Sequence, residues 1–250
     1  MTEEQLFGLG LQLCLLLAII VTAYQRRRVG PNPWVLLDSG HAIVAFVLGS
    51  SSSATLLGAL EGTGTELDLR TTMTASALGG LIAFGIIWLR VPLRELGLRS
   101  APARWIVASI GLVVPFMAFV WVYNALLEHA GVVYENQWVL DRAADQSGSA
   151  SFWIAMMHGS LLVPFLEEAL FRGSLQTAAI RRLGSCKGIG LTAITFGSMH
   201  MPDPYAVLPL VGLGVVLGWL RHRSNSLWPS VVLHATNNAV AFLVVGFEIL

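Results

Sequence analysis

Two adjacent carboxylates, Glu167 and Glu168, sit in the apolar run Phe165 to Phe171, with Arg172 directly after it. An ionised side chain held at mid-bilayer costs about 2.5–3.5 kcal/mol on insertion scales, so a pair kept there is either neutralised or used. On a helix, neighbouring residues point about 100° apart, so the two glutamates cannot share a face. Arg172 follows Glu168 by four residues, the favoured order for a helical ion pair, and Glu167 by five. This spacing assigns Arg172 to Glu168 and leaves Glu167 facing an interior cavity, the position a general base needs. Pro164 has no backbone N–H, so it predicts a kink just before the acidic pair and a freed carbonyl near position 160. Two acids near a helix C-terminus also oppose the helix dipole, which favours a functional reason for them. On this stretch alone, a purely structural pairing of both glutamates stays open.

Three further groups lie on later apolar runs. Phe196 and His200 are four apart, on one helical face, and so are His234 and Asn238. A lone histidine in such a run is more often a packing residue, and Asn237 reads as an amide that glues helices together. Counted together the groups say more. A carboxylate, two imidazoles and an amide can activate a water and stabilise an oxyanion, which is the equipment of a hydrolase. The spans place Glu167 near the inner end of its helix, with His234 and His200 deeper. The expected site is therefore a polar cavity inside the membrane, open to the inner side.

The elements that must carry these groups are membrane spans. Hydrophobic residues make up 55% of the 250-residue chain and charged residues only 12%, against about 25% in a soluble domain. The formal net charge is zero, so bulk electrostatics suggest no nucleic-acid partner. Cys14 and Cys186 form neither a disulfide framework nor a zinc-ligand spacing. The fold class is all-α, a polytopic membrane protein of about eight transmembrane helices. The spans are expected at residues 5–24, 41–60, 73–90, 105–127, 151–171, 188–201, 204–220 and 227–249. The second contains Ser50 to Ser53 and is the one that could be re-entrant. The sixth is short and closed by Pro202 and Pro204. With the N-terminus outside, every lysine and arginine except Arg70 and Arg142 falls on the inner side, in line with the positive-inside rule. Glu3 and Glu4 precede the first apolar run and Arg26 to Arg28 follow it, the reverse of a signal peptide. Residues 90–104 read as a basic connector at the inner surface, favoured by anionic lipid. Gly214 and Gly218 read as a close-packing pair. Residues 1–250 form a single membrane domain, with N-terminal helices over 1–150 and a motif-bearing core over 151–240.

Those motifs resemble the CPBP family, the type II CAAX prenyl endopeptidases and their bacterial relatives, also called the ABI family. Glu167, Glu168 and Arg172 match its Glu-Glu-x-x-x-Arg motif. Phe196 and His200 match Phe-x-x-x-His, and His234 and Asn238 match His-x-x-x-Asn. The segments Gly218 to Arg223 and Ser226 to Pro229 also look like the family. The resemblance covers residues 151–240 and implies an eight-helix intramembrane endopeptidase. It implies Glu167 as the base, His200 as its partner on the attacking water, and His234 with Asn238 as oxyanion stabilisers. Glu168, Arg172 and Phe196 would be supporting residues.

A glutamate-activated water needs no metal, and the chain has no His-Glu-x-x-His motif. The expectation is a metal-free site, with zinc at Glu167, His200 and His234 as the alternative. The expected partners are the lipid bilayer and a membrane-associated, lipidated or tail-anchored protein or peptide. The expected location is a bacterial plasma membrane with the cavity facing the cytoplasm. The rival readings are a non-catalytic scaffold, an immunity-type binding protein, and a transporter with a proton-relay glutamate. An unpaired Glu167 beside two histidines, and the lack of an internal repeat, argue against them.

Overall fold

The computed structural model describes residues 2–28, 36–61, 68–91, 93–132, 138–201 and 203–247. Over these residues the chain is helical and contains no strand. Helices α1 (Glu3–Arg28), α2 (Leu36–Glu61) and α3 (Leu69–Arg90) come first. Then α4 (Ala103–Gly111) and α5 (Val113–His129), separated only by Leu112, form one apolar rod, and α6 (Trp138–Asp145) is short. Helices α7 (Ala150–Met157), α8 (Val163–Glu168) and α9 (Gln176–Leu183) are joined end to end by two π-helical turns, His158–Leu162 and Ala169–Leu175. Helices α10 (Ser185–Ser198), α11 (Pro204–Ser224) and α12 (Trp228–Gly246) complete the molecule.

Seven stretches among the described residues are long and apolar enough to cross a bilayer. Large apolar side chains face outward on them, such as Phe7 at 77% exposure and Val114 at 72%, as a lipid-facing surface requires. The chain is an all-α polytopic membrane protein. The count differs from the expected eight at α10. Its 14 residues rise about 21 Å, short of the roughly 30 Å hydrocarbon core. Helix α10 lies against α11 instead, where a Cβ at Gly214 would sit 2.9 Å from the Ala193 Cα.

Two other boundaries shift for identifiable reasons. The serine run does not interrupt α2, which is continuous. Ser51 and Ser52 exchange hydrogen bonds of 3.1 Å with the Gln12 amide of α1. A Cβ at Gly49 would come within 3.0 Å of the Gly79 Cα, so α2 and α3 touch closely there. The fifth span runs Ala150–Leu183, not 151–171. Arg172 had marked its end as the first basic residue of a loop, but Arg172 is fully buried and the helix continues past it. Glu167 therefore lies near the middle of this element and not near its inner end.

The polar centre lies between two apolar cores. One joins α1, α2 and α3 to Leu170, Phe171 and Phe196, and the other joins α5 to α11 and α12.

A candidate active site on the long fifth span

Pro164 sets the local backbone. The Val163 N–H bonds back to the His158 carbonyl, five residues earlier, so the helix has already widened to π spacing when it reaches the proline. In that register the next acceptor is the Gly159 carbonyl, and Pro164 has no N–H to give it. Asn238 on α12 supplies the donor, Nδ2 to Gly159 O at 2.9 Å. Widened turns of this kind occur frequently at functional sites. The second π turn begins directly after Glu168 and carries Arg172.

The two glutamates have different surroundings. Glu168 is fully buried, and its Oε1 accepts from Arg172 Nη1 at 3.0 Å and from His234 Nδ1 at 3.0 Å. Arg172 Nη2 also donates to the Gly214 carbonyl at 3.3 Å, and its guanidinium lies 4.5 Å from the Phe196 ring centre. Glu167 keeps 13% of its side-chain surface exposed. Among the described residues its polar neighbour is His234, whose Nε2 is 3.8 Å from Glu167 Oε2. That gap is too long for a hydrogen bond, so His234 bonds one glutamate and faces the other.

His200 sits just past the end of α10, and its Nδ1 donates to the Phe196 carbonyl at 3.1 Å. A carbonyl can only accept, so this bond fixes the tautomer and leaves Nε2 of the neutral ring as an acceptor. Phe196 stands between the histidines, 5.4 Å from the His200 ring and 5.6 Å from the His234 ring, edge-on to both. No hydrogen bond or ion pair joins His200 to Glu167 among the described residues. The three motifs thus meet through Phe196, His234 and the Glu168–Arg172 pair. Asn238 reaches them through the backbone of Gly159. A cavity of about 460 Å³ lies beside Asn237 and Asn238 and is walled by Phe116, Trp121, Tyr205 and Phe242. Neither Glu167 nor His200 lines it.

The family model described as Type II CAAX prenyl endopeptidase Rce1-like matches residues 149–240. The similarity is confined to that segment. It begins at Ser149, the N-cap of α7, and ends within α12, so it holds both glutamates, both histidines and Asn238. The match does not extend to residues 1–148. No curated protein and no solved structure gives a significant match to the chain. The matched family is, by its description, one of endopeptidases.

Among the described residues no three His, Cys, Asp or Glu side chains converge as a metal-binding group. Both imidazole Nδ1 atoms are engaged by protein oxygens, at Phe196 and Glu168.

Some participants carry no motif signal. Gln176, one helical turn beyond Arg172, donates to the Gly218 carbonyl at 2.9 Å, alongside the bond from Arg172 to Gly214 O. The glycine pair on α11 therefore serves as a ladder of carbonyl acceptors as well as a packing surface. The spacing of Arg172 with Gln176 matches that of Gly214 with Gly218, a signal that becomes readable only once the two helices are known to be neighbours.

Proposed function

We infer that this chain is an intramembrane endopeptidase that hydrolyses peptide bonds of membrane-associated, lipidated or tail-anchored substrates with a glutamate-activated water. The observation that carries the reading is the asymmetry of the acidic pair. Glu168 is bound by Arg172 and His234, while Glu167 has no hydrogen-bond partner among the described residues and faces His234 Nε2 at 3.8 Å. In this reading Glu167 takes a proton from a water that His200 Nε2 helps to hold. The hydroxide adds to the substrate carbonyl carbon, and the carbonyl π electrons move to oxygen. Collapse of that oxyanion breaks the C–N bond, and the proton held by Glu167 passes to the departing amine.

His234 has its Nδ1–H on Glu168, so it donates to an oxyanion through Nε2 only when doubly protonated. The second N–H of the Asn238 amide is the other donor. Glu168, Arg172 and Phe196 brace these groups. The site works without a metal, by the carboxylate alone. The reading extends to a bacterial plasma membrane, with the N-terminus outside and the site served from the cytoplasmic side. The basic last turns of α3, α9 and α11 support that orientation.

The test is a cleavage assay on the detergent-solubilised full chain, using lipidated and transmembrane-tail peptides with and without a chelator. The expected result is cutting by wild type that chelator does not change and that Glu167→Ala and His200→Ala abolish. Activity that chelator removes and zinc restores would overturn the metal-free mechanism. Cellular function that survives Glu167→Ala would overturn the protease reading in favour of a scaffold.

A further inference from the structure

Away from the acidic pair, the molecule buries another guanidinium, and that one has no hydrogen-bond or ion-pair partner among the described residues. Arg221, in the last turn of α11, is 8% exposed. No carboxylate or carbonyl among the described residues bonds it, and its Nε is buried without an acceptor. A buried charge left in this state is costly unless something pairs it.

Its surroundings are built around it. The turn after α3 places Gly97 at φ +86°, a conformation that side chains other than glycine rarely adopt. A Cβ there would meet the Arg221 guanidinium carbon at 2.7 Å, so the guanidinium lies directly against the glycine backbone. The turn is fastened to the loop after α11 by three bonds. Leu227 N–H donates to Gly97 O at 2.8 Å, Ser226 Oγ donates to Arg99 O at 2.6 Å, and Arg99 Nε donates to Asn225 O. Arg99 stands exposed beside Arg221. The acid in this neighbourhood, Glu95, is paired with Arg181 at 3.5 Å. The exposed tryptophans nearby fit a membrane-interface level. Trp105 and Trp219 pack edge to face at 5.6 Å, and Trp219 and Trp228 are 43% and 41% exposed, as in an interfacial aromatic belt.

We propose that Arg221, laid flat on Gly97 and flanked by Arg99, binds a phosphate group of the kind a phospholipid headgroup presents. A planar guanidinium held in one orientation suits the bidentate recognition of phosphate oxygens. Cationic residues at this level attract anionic lipid. The bound phosphate joins the α3–α4 turn to the α11–α12 loop, and so ties the N-terminal helices to the helix that carries His234.

The experiment uses the full chain in a neutral detergent. It is titrated separately with phosphatidylglycerol, phosphatidylcholine and inorganic phosphate, and read by thermal midpoint and by lipid retained in native mass spectrometry. Phosphatidylglycerol is expected to raise the midpoint and to be retained. A matching rise with inorganic phosphate would keep the site and name the free ion as a sufficient ligand. No response to either phosphate source would overturn the proposal in wild type, without recourse to a variant. Arg221→Gln should weaken retention by roughly tenfold or more, about 1.4 kcal/mol per tenfold. Arg223→Gln makes the same charge change at an exposed position and should leave it unchanged. If Arg221→Gln does not fold, Arg221→Lys keeps the charge without the planar fork and should still weaken retention. Equal retention by the Arg221 and Arg223 variants would overturn the site.

Discussion

The molecule holds two ionic clusters in apolar surroundings, and they are finished differently. At the end of the N-terminal helices, Asp38 of α2 receives Arg26 of α1 on one oxygen at 2.8 Å and Arg90 of α3 on the other at 3.3 Å. Arg90 also donates to the Arg26 carbonyl at 3.0 Å. Three helices are pinned at one point, and the carboxylate is spent on both oxygens. In the middle of the long helix, Glu168 uses one oxygen for two donors and leaves Oε2 buried without a partner among the described residues. Its neighbour Glu167 is bonded by none of them. Saturation marks a carboxylate that holds the fold together. A carboxylate left short of donors, in a place where each one is costly, marks a group kept for another purpose.

The largest effect that would sharpen this contrast is at Arg172. Removing one member of a buried pair leaves the other charged and uncompensated, at about 3–5 kcal/mol. Arg172→Ala should lower the thermal midpoint severely or prevent purification of folded protein, because Glu168 and the Gly214 carbonyl both lose their donor. Arg26→Ala should cost far less, about 0.2–1 kcal/mol, since Arg26 is 41% exposed and Arg90 remains on Asp38. Equal losses from the two variants, measured by thermal unfolding in one detergent, would break the distinction.

Next comes a crossed pair of isosteric changes. Glu167→Gln should leave the thermal midpoint near that of wild type, since no hydrogen bond to Glu167 is lost. Cleavage should fall by about 10²–10⁴-fold, the usual contribution of a positioned general base. Asp38→Asn should do the reverse. It weakens two charge-assisted bonds, each of about 1.5–3 kcal/mol, and leaves the specific activity of the folded fraction unchanged. A Glu167→Gln protein that cuts normally, or an Asp38→Asn protein that is stable but inactive, would exchange the roles given to the two clusters.

Much of this was legible in the sequence, and the failures have a common cause. Composition and run length gave the all-α membrane class, and the period of the helix separated Glu167 from Glu168 before any coordinates. The boundary at 171 failed because a charge normally ends a span, whereas Arg172 is neutralised in place by Glu168. The exact count of eight is not confirmed, because α10 is apolar but only 14 residues long. The serine run of α2 suggested irregular backbone because its partner, Gln12, lies on a different helix. The role of Gln176 and the unpartnered state of Arg221 are likewise facts about neighbours. A single sequence states what a residue can bond but not what stands opposite it.

The smallest effect bears on Asn238, which bonds the fold and in the proposed mechanism also meets the oxyanion. Its amide donates to Gly159 O, the acceptor that Pro164 leaves empty. Pro164→Ala restores an N–H to the helix, so Gly159 O has a second possible donor and the cross-helix bond is no longer indispensable. Asn238→Ala alone should cost about 0.5–1.5 kcal/mol, the ordinary worth of one hydrogen bond. In the Pro164→Ala background it should cost less, with a coupling above the roughly 0.3–0.5 kcal/mol within which independent sites add. Strict additivity in thermal unfolding would separate the proline from the asparagine. Activity then divides the two roles of the amide. If Asn238 serves only to hold the long helix, the double variant should recover activity along with stability. If its second N–H also meets the oxyanion, stability returns while cleavage stays low, because a repaired helix backbone places no donor at the reacting carbonyl.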